Sequence, residues 1–595
     1  MRRVRRMAEP LRARPGIAAI VALGIAWGVV MHSMGWAQLA HYAQVRAFAA
    51  GRADIDPWQW QTRDKAFVDG HFYSVKAPGL PALTLPVYLG LHAAGAEDVA
   101  RDAAQTASRA DHPRWAPPPQ PDLNQYGFSA RRAARVEANA ENEAPMIWAL
   151  TLVGAVLPAI GLLFLVRWVG ERLEPGYGTA AAITLGLGTI VMTFAAEYFS
   201  HIASATLGFA AFALLFRERL GPARPAHRPS GSDAGATRPA TSLALVAAAG
   251  LCVGLAVTLE YPLGLLGAIL FVYAISRPGR RLPRAVAYGG AAICGAAPAL
   301  AFNLWALGSP FSFAYSNAVA VQGLTGHAVL GLNDSGFFGI NLPHPGAAVD
   351  LLIASRGLLT LTPVLAMAVA GAVMMRRRAH AAEGNVVLAV AIVFFLYNAG
   401  YWLPFGGGSP GPRFLIPALP FVALGLATAY RRLPALTLAL AIPSVVFMLA
   451  GALTFPLIGD NGTGTWADQL ASGTLEQTLL TVIGVRNGWL AALPLLAAVA
   501  AAVALAARAT PPVRLGSLRP ALAALAGWTA MAILGPTIAG DPVTPLRGGI
   551  SVLALVGLAL GASLATLLAL RYRERRAELG PDRLVVAEPR LGRIS

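Results

Sequence analysis

Long apolar runs recur along the chain and alternate with short polar stretches. Runs near 16–34, 146–168, 177–196, 201–216, 241–259, 262–276, 285–306, 351–375, 384–402, 413–430, 434–455, 488–508, 519–539 and 549–570 each read as a transmembrane helix. A helix needs about 20 residues to cross a hydrocarbon core about 30 Å thick. In lipid, every backbone polar group must also be satisfied inside its own element. The pattern therefore predicts an all-α integral membrane protein with about 14 transmembrane helices. A further apolar run, 80–95, follows the polar and aromatic lead-in GHFYSVKAPG. It is broken by Pro81 and Pro86 and is too short for a comfortable span.

Charge decides how that run is read. Only 13% of the 595 residues are charged and 56% are hydrophobic, whereas soluble proteins carry about 25% charged residues. A water-soluble class is excluded. The net charge of +17 does not point to nucleic acid, because no RNA- or DNA-binding motif is present. The basic residues sit instead in short clusters between apolar runs: MRRVRR, RPGRRLPR, MMRRRAH, AYRRLP and RYRERR. That is the positive-inside pattern. If 80–95 does not cross, both termini are cytoplasmic. Of 47 Arg and Lys residues, about 32 then lie inside and 15 outside, 11 of these in the single long region 36–145. If it does cross, RPGRR, MMRRR and RYRERR face outward. The first topology is preferred, which makes 80–95 an interfacial helix on the outer face.

The expected layout is a basic cytoplasmic N-terminus (1–15), a transmembrane core (16–455), an extracytoplasmic loop (456–487), further spans (488–570) and a cytoplasmic tail (571–595). The core carries a large outer loop, 36–145, with the interfacial helix 80–95 inside it. That loop also holds an amphipathic stretch, WAQLAHYAQVRAFAAG, and an insert, 96–145, expected to be partly irregular. The Pro/Ser/Gly/Arg segment 217–240 reads as a flexible inner linker. The opening MRRVRRMAEPLRARP is signal-like, but no small-residue cleavage site follows closely, so the first span is read as uncleaved. Cys252 and Cys294 lie in apolar segments and imply no disulfide framework or zinc site.

Candidate chemistry is concentrated on the predicted outer face. Asp54, Asp56, Asp64 and Asp69 fall within sixteen residues, beside Trp58, Trp60, His71, Tyr73 and Lys76. Carboxylates can take protons from hydroxyls, and aromatic rings can pack on the apolar side of a sugar. The competing reading is a solvated loop whose acids offset Arg52, Arg63 and Lys65. Lys76 precedes Pro78-Gly79 and, at headgroup depth, can hold a lipid phosphate; the alternative is ordinary snorkelling. In PFGGGSPGPRFLIPALPF, 404–421, glycines let backbone approach a ligand, and Arg413 offers a bidentate phosphate fork. The plainer reading is a tight turn with an anchoring arginine. Glu197, Tyr198, His201, Glu260, Tyr261 and Arg356 are further candidates at predicted outer turns. The pair Asp54/Asp56 is a short D-x-D pattern. No metal or cofactor is expected, with a divalent ion there as the open alternative.

Taken in order, these elements resemble the GT-C superfamily of polytopic glycosyltransferases. That group includes the dolichyl-phosphate-mannose:protein mannosyltransferases and the bacterial transferase that places aminoarabinose on lipid A. The resemblance rests on a first span, a long acidic outer loop, Lys76-Ala77-Pro78-Gly79 opening the interfacial helix, the GLAVTLEYP turn, SRGLLTLTPVL and GGGSPGPRFLIPALPF. It is best over about residues 16–280. It implies a polyprenyl-phosphate-linked sugar as donor and a glycan, lipid or protein acceptor, in a bacterial inner membrane. It also implies an Asp as general base, with Lys76 and Arg413 on the donor phosphate. The chain departs from the family at Gln38, where the catalytic acid usually lies. Asp64 is the first choice for the base and Asp56 the second. His71, Tyr73, Trp60, Glu197, His201 and Arg356 are expected to contact substrate. A transporter or lipid flippase is the alternative, but it would need ionisable groups near the bilayer midplane. A non-catalytic envelope scaffold is a further one, favoured by the absence of an acid at Gln38.

Overall fold

The computed structural model describes residues 2–108, 141–221 and 242–579, apart from 278, 320–324, 335, 379, 460–461 and 513. Most of the 96–145 insert and of the 217–240 linker lies outside the described residues. Eight helices are long and apolar enough to cross a membrane: Ala144–Leu173, Arg281–Leu307, Ala381–Gly400, Arg413–Arg432, Pro434–Leu453, Gly488–Ala509, Arg519–Ile538 and Val552–Ala577. A ninth candidate is the pair Pro345–Leu361 and Val364–Arg376, bent by 89°. The bend falls at Thr362-Pro363, where the proline ring disfavours helical geometry in the residue before it. Arg14–Gly28, Gly178–Leu187, Leu243–Leu259 and Leu263–Ile275 are shorter apolar helices. With His201–Leu220, each of the fourteen expected segments falls on a helix or helix pair.

The region after the first of these helices is more ordered than its polarity suggests. Trp36–Ala49 is a helix whose residues from Ala37 to Ala47 are all buried, including Gln38, His41, Gln44 and Arg46. The expected amphipathic character is therefore hidden, because other elements cover its polar side too. The expected interfacial run is the helix Gly79–Ala93. It buries Leu80, Thr84 and Tyr88 and leaves Leu83 and Leu89 exposed. The first part of the insert is a regular helix, Ala96–Ala107, with Glu97 and Asp98 in its first turn, where negative charge complements the helix dipole.

The fold is not purely helical. Lys65–Val68 and His71–Ser74 form an antiparallel hairpin with Val68 opposite His71. The two-residue turn is Asp69-Gly70, with φ of 48° and 86°. Both residues in the left-handed region, as Asp-Gly, make the tight turn that matches strand twist. The sequence reading placed this stretch in the large outer loop as an acidic and aromatic patch and expected no strands in an all-α chain, because four-residue strands carry too little alternation to show. A second, two-residue pairing joins Val30–Met31 to Gln477–Thr478 and ties the end of the first helix to a segment more than 440 residues later.

Candidate active site

The hairpin explains how Asp64 meets Lys76. Lys65 pairs with Ser74, and Val75 N–H donates to Asp64 O at 3.3 Å. Asp64 and Lys76 thus flank the open end of the hairpin, twelve residues apart in sequence but adjacent in space. Lys76 Nζ lies 2.7 Å from Asp64 Oδ2. Burial would raise the Asp64 carboxyl, but the charges of Lys76, His327 and Arg413 outweigh it and hold the group at about 2. Lys76 is lowered, by burial first, with Asp64 opposing and Arg413 adding to the effect. Gly79 allows the lysine segment to close on its neighbour. A Cβ there would come within 2.5 Å of Thr258 O and 2.7 Å of Leu259 N, next to Glu260.

Arg413 comes from the far side. It begins a short 3-10 helix, Arg413–Ala418, leading into the Leu419–Arg432 helix. The glycine loop before it is fitted around the arginine. Gly406 has φ +79°, and a Cβ there would fall 2.8 Å from Arg413 Nε. Arg356 fastens the same loop by donating from Nη1 to the carbonyls of Gly407 (2.8 Å), Ser409 (3.3 Å) and Ile458 (3.3 Å). The Arg413 guanidinium lies 5.4 Å from the Phe199 ring and 5.6 Å from the Phe414 ring. Its side chain makes no hydrogen bond or ion pair among the described residues, and its Nε is buried.

These side chains line one cavity of about 1190 Å³, larger than the usual 300–1,000 Å³ of ligand pockets. Asp64, Lys76, Arg413, His201 and Arg356 all border it, as do Glu260, Gln38, His41 and His327. Its aromatic wall is internally bonded. Tyr315 and Tyr401 hydroxyls are 2.6 Å apart, and Trp402 Nε1–H donates to Tyr315 Oη at 2.8 Å. Burial keeps His41 well below the ordinary imidazole value and lowers His327 to about 4, and the positive charge of Lys76 adds to both. Two acid–base pairs lie in the cavity lining: Lys76 with Asp64, and His201 Nδ1 against Glu260 Oε1. Arg413 also borders the space and makes no hydrogen bond or ion pair among the described residues.

The remaining predicted site residues lie elsewhere. Asp56 accepts from Phe72 N–H at 2.7 Å and pairs with His71 Nδ1 at 2.7 Å. Tyr73 pairs across the hairpin with Ala66. Trp60 is buried, with Lys65 Nζ 5.1 Å from its ring. Glu197 is buried behind Gln38, accepts from its Nε2–H, and faces a separate small cavity with His32. Burial, with Glu476 nearby, pushes Glu197 up to about 8, although His32 and Gln38 oppose the rise. Gln38 itself lines the main cavity, an amide at the position where the resemblance led to the expectation of an acid. Asp54, Asp56 and His71 each bring one donor atom within 4.8 Å of the others, but outside this cavity, and Arg52 Nη2 donates to Asp54 at 2.6 Å. Among cavity residues, His327, Tyr315, Tyr401 and Trp402 went unnoticed in the sequence, where nothing but aromatic content marks them.

No family model matches the chain, and no curated protein does. Among solved structures it is similar to ArnT from Cupriavidus metallidurans bound to undecaprenyl phosphate. That match has TM-score 0.41 and 12% identity, and covers 82% of this chain and 76% of that one. The apo form of the same protein gives TM-score 0.41 at 13% identity, over 85% and 78%. The Archaeoglobus fulgidus oligosaccharyltransferase in its apo form gives TM-score 0.34 at 14% identity, over 89% and 60%. At these TM-scores the likeness assigns no residue a role.

Proposed function

We propose that this chain is a polytopic membrane glycosyltransferase. It moves a sugar from a polyprenyl-phosphate donor to a hydroxyl on a glycan, lipid or protein acceptor, at the extracytoplasmic face of a bacterial inner membrane. All fourteen apolar segments cross, and both termini are cytoplasmic. The observation that carries the reading is the unpaired Arg413 beside the Asp64–Lys76 pair in one aromatic-walled cavity. A cation left without a partner, next to a lysine and a carboxylate, is an arrangement that suits a phosphate and an acid–base step together.

The donor phosphate sits between Lys76 and Arg413, and its sugar lies along Tyr315, Tyr401 and Trp402. Asp64 at about 2 is a weak base while Lys76 is bound to it. A phosphate that draws Lys76 away leaves the carboxylate buried with less opposing charge, so its proton affinity rises. The base is thereby strengthened when donor is present. Asp64 then takes the acceptor hydroxyl's proton as that oxygen attacks the anomeric carbon. Such catalysis contributes about 10²–10⁴-fold. Lys76 and Arg413 stabilise the negative charge that grows on the leaving phosphate, usually the larger effect.

The test is sugar release from a panel of radiolabelled polyprenyl-phosphate sugars by purified protein in lipid, with Asp64→Asn and Lys76→Ala beside wild type. Turnover in wild type that collapses in both variants supports the reading. Turnover that survives both refutes the assigned roles.

A further inference from the structure

One pair in the cavity has no part in the scheme above. His201 opens the His201–Leu220 helix, and Glu260 ends the Leu243–Leu259 helix. Glu260 accepts from Ser200 Oγ at 2.8 Å and Ser204 Oγ at 3.1 Å, while one of its oxygens lies against His201 Nδ1. The imidazole is stacked on Phe199 with centroids 5.5 Å apart and meets Phe414 edge-on at 5.6 Å. Its ring plane is therefore fixed. Both ring nitrogens are buried and neither makes a well-aligned hydrogen bond among the described residues; Nδ1 is in ion-pair contact with Glu260, whereas Nε2 has no such partner.

The position of His201 gives the second clue. Phe199 and Phe414 are the same two rings that flank the Arg413 guanidinium. An anion held by Arg413 is thus a neighbour of His201. A carboxylate on Nδ1 orients an imidazole and stabilises its protonated form. A protonated imidazole so held presents Nε2–H as a donor.

We propose that His201, oriented by Glu260, is a third contact to the donor phosphate and the proton donor to it as it departs. This rests on the glycosyltransferase reading above. As the bond between the anomeric carbon and the phosphate oxygen breaks, its electron pair passes to that oxygen. His201 Nε2–H gives its proton to the same oxygen, and polyprenyl phosphate leaves as a monoanion. The acceptor's proton goes to Asp64. The enzyme finishes with one proton more on Asp64 and one fewer on His201, and exchange with water resets both.

The charged and titratable groups acting on His201 are Glu260, Arg413, Lys76 with Asp64 beyond it, and His41 on the Trp36–Ala49 helix; Ser200, Ser204 and, on Ala381–Gly400, Tyr397 act on its partner Glu260. Burial, Arg413 and Lys76 work against a charge on His201 as they do on His41 and His327, but His201 alone of the three touches a carboxylate, Glu260, among the described residues. A phosphate bound at Arg413 offsets both cations and favours the protonated imidazole.

The test is the affinity of polyprenyl phosphate, against polyprenol, for full-length protein in nanodiscs between pH 5.5 and pH 9. A phosphate monoester's own second ionisation, near about 6, makes binding to cations tighten as pH rises. Loss of a proton from His201 makes it weaken. Wild type is expected to show the weakening limb. His201→Gln keeps an N–H donor but cannot titrate, so that limb should vanish. His201→Ala should bind about 10- to 100-fold more weakly at pH 6, the range for hydrogen bonds to charged groups. Glu260→Gln should move the limb to lower pH, and it decides the matter if the His201 variants do not fold. A pH profile unchanged in His201→Gln and Glu260→Gln overturns this assignment and leaves the glycosyltransferase reading standing. Wild type that does not prefer the phosphate over the alcohol overturns both.

Discussion

Replacing Lys76 with Met should reverse the behaviour of Asp64. The carboxyl sits at about 2 in the wild type, against an ordinary value of 3.8. That difference is worth about 2.5 kcal/mol at neutral pH. Its sign follows from the direction: a carboxyl held low in the folded state contributes stability above its unfolded value near 4, and that contribution is lost as pH falls toward 2. Without Lys76, the burial that now opposes the shift becomes the main influence, and the folded value rises above 4. The sign then inverts. The variant should lose stability as pH climbs from about 4 through the raised value, because an unpaired buried carboxylate costs about 3–5 kcal/mol. Converting Asp64 to Asn as well removes that charge and should recover much of the loss. The assay is infrared difference spectroscopy on aspartate-labelled protein, with Asp64→Asn subtracted to isolate the band, alongside unfolding of the two single variants and the double variant across pH. Identical titration of Asp64 with and without Lys76 would refute the reasoning.

Other consequences follow from single positions. Gly406→Ala places a methyl 2.8 Å from Arg413 Nε at a φ of +79°; it should weaken polyprenyl-phosphate binding at least about tenfold, the worth of a charged hydrogen bond, in a titration against wild type. Gly79→Ala meets backbone at 2.5 Å and should lower stability by about 1–3 kcal/mol, as overpacking does, read from thermal unfolding in nanodiscs. Asp56→Asn alters a residue outside the cavity that bonds Phe72 and His71; sugar release should change less than about threefold, whereas Asp64→Asn should lose about 10²-fold or more.

The helical segments were legible because apolar length and basic clustering are written along the chain. All fourteen fall on helices, and the interfacial run differs from the helix Gly79–Ala93 by one or two residues. The hairpin was not seen, although Asp69-Gly70 is its signal, because the strands beside it are only four residues long. Asp64 and Lys76 were named from residue type and position, but their contact depends on that hairpin. Arg413 stood out as an arginine on the side of the membrane where arginine is rare. Glu197, named for the same outer turn as His201, is turned behind Gln38 instead of into the cavity. The pairing of His201 with Glu260 joins two turns about sixty residues apart, which no local pattern reports. His327 and Tyr315 come from a segment without periodicity, and Tyr401 and Trp402 from the end of the apolar run 384–402, where a sequence shows composition but not direction.

The central claim is that a lipid phosphate binds between Lys76 and Arg413 and takes the lysine from Asp64. A cryo-electron microscopy structure of the protein in nanodiscs with polyprenyl phosphate tests it most directly. The account predicts phosphate density within hydrogen-bond reach of Lys76 Nζ and the Arg413 guanidinium, with Lys76 and Asp64 separated well beyond their present 2.7 Å. Phosphate located away from Arg413, or a Lys76–Asp64 pair unchanged beside a bound phosphate, would contradict it.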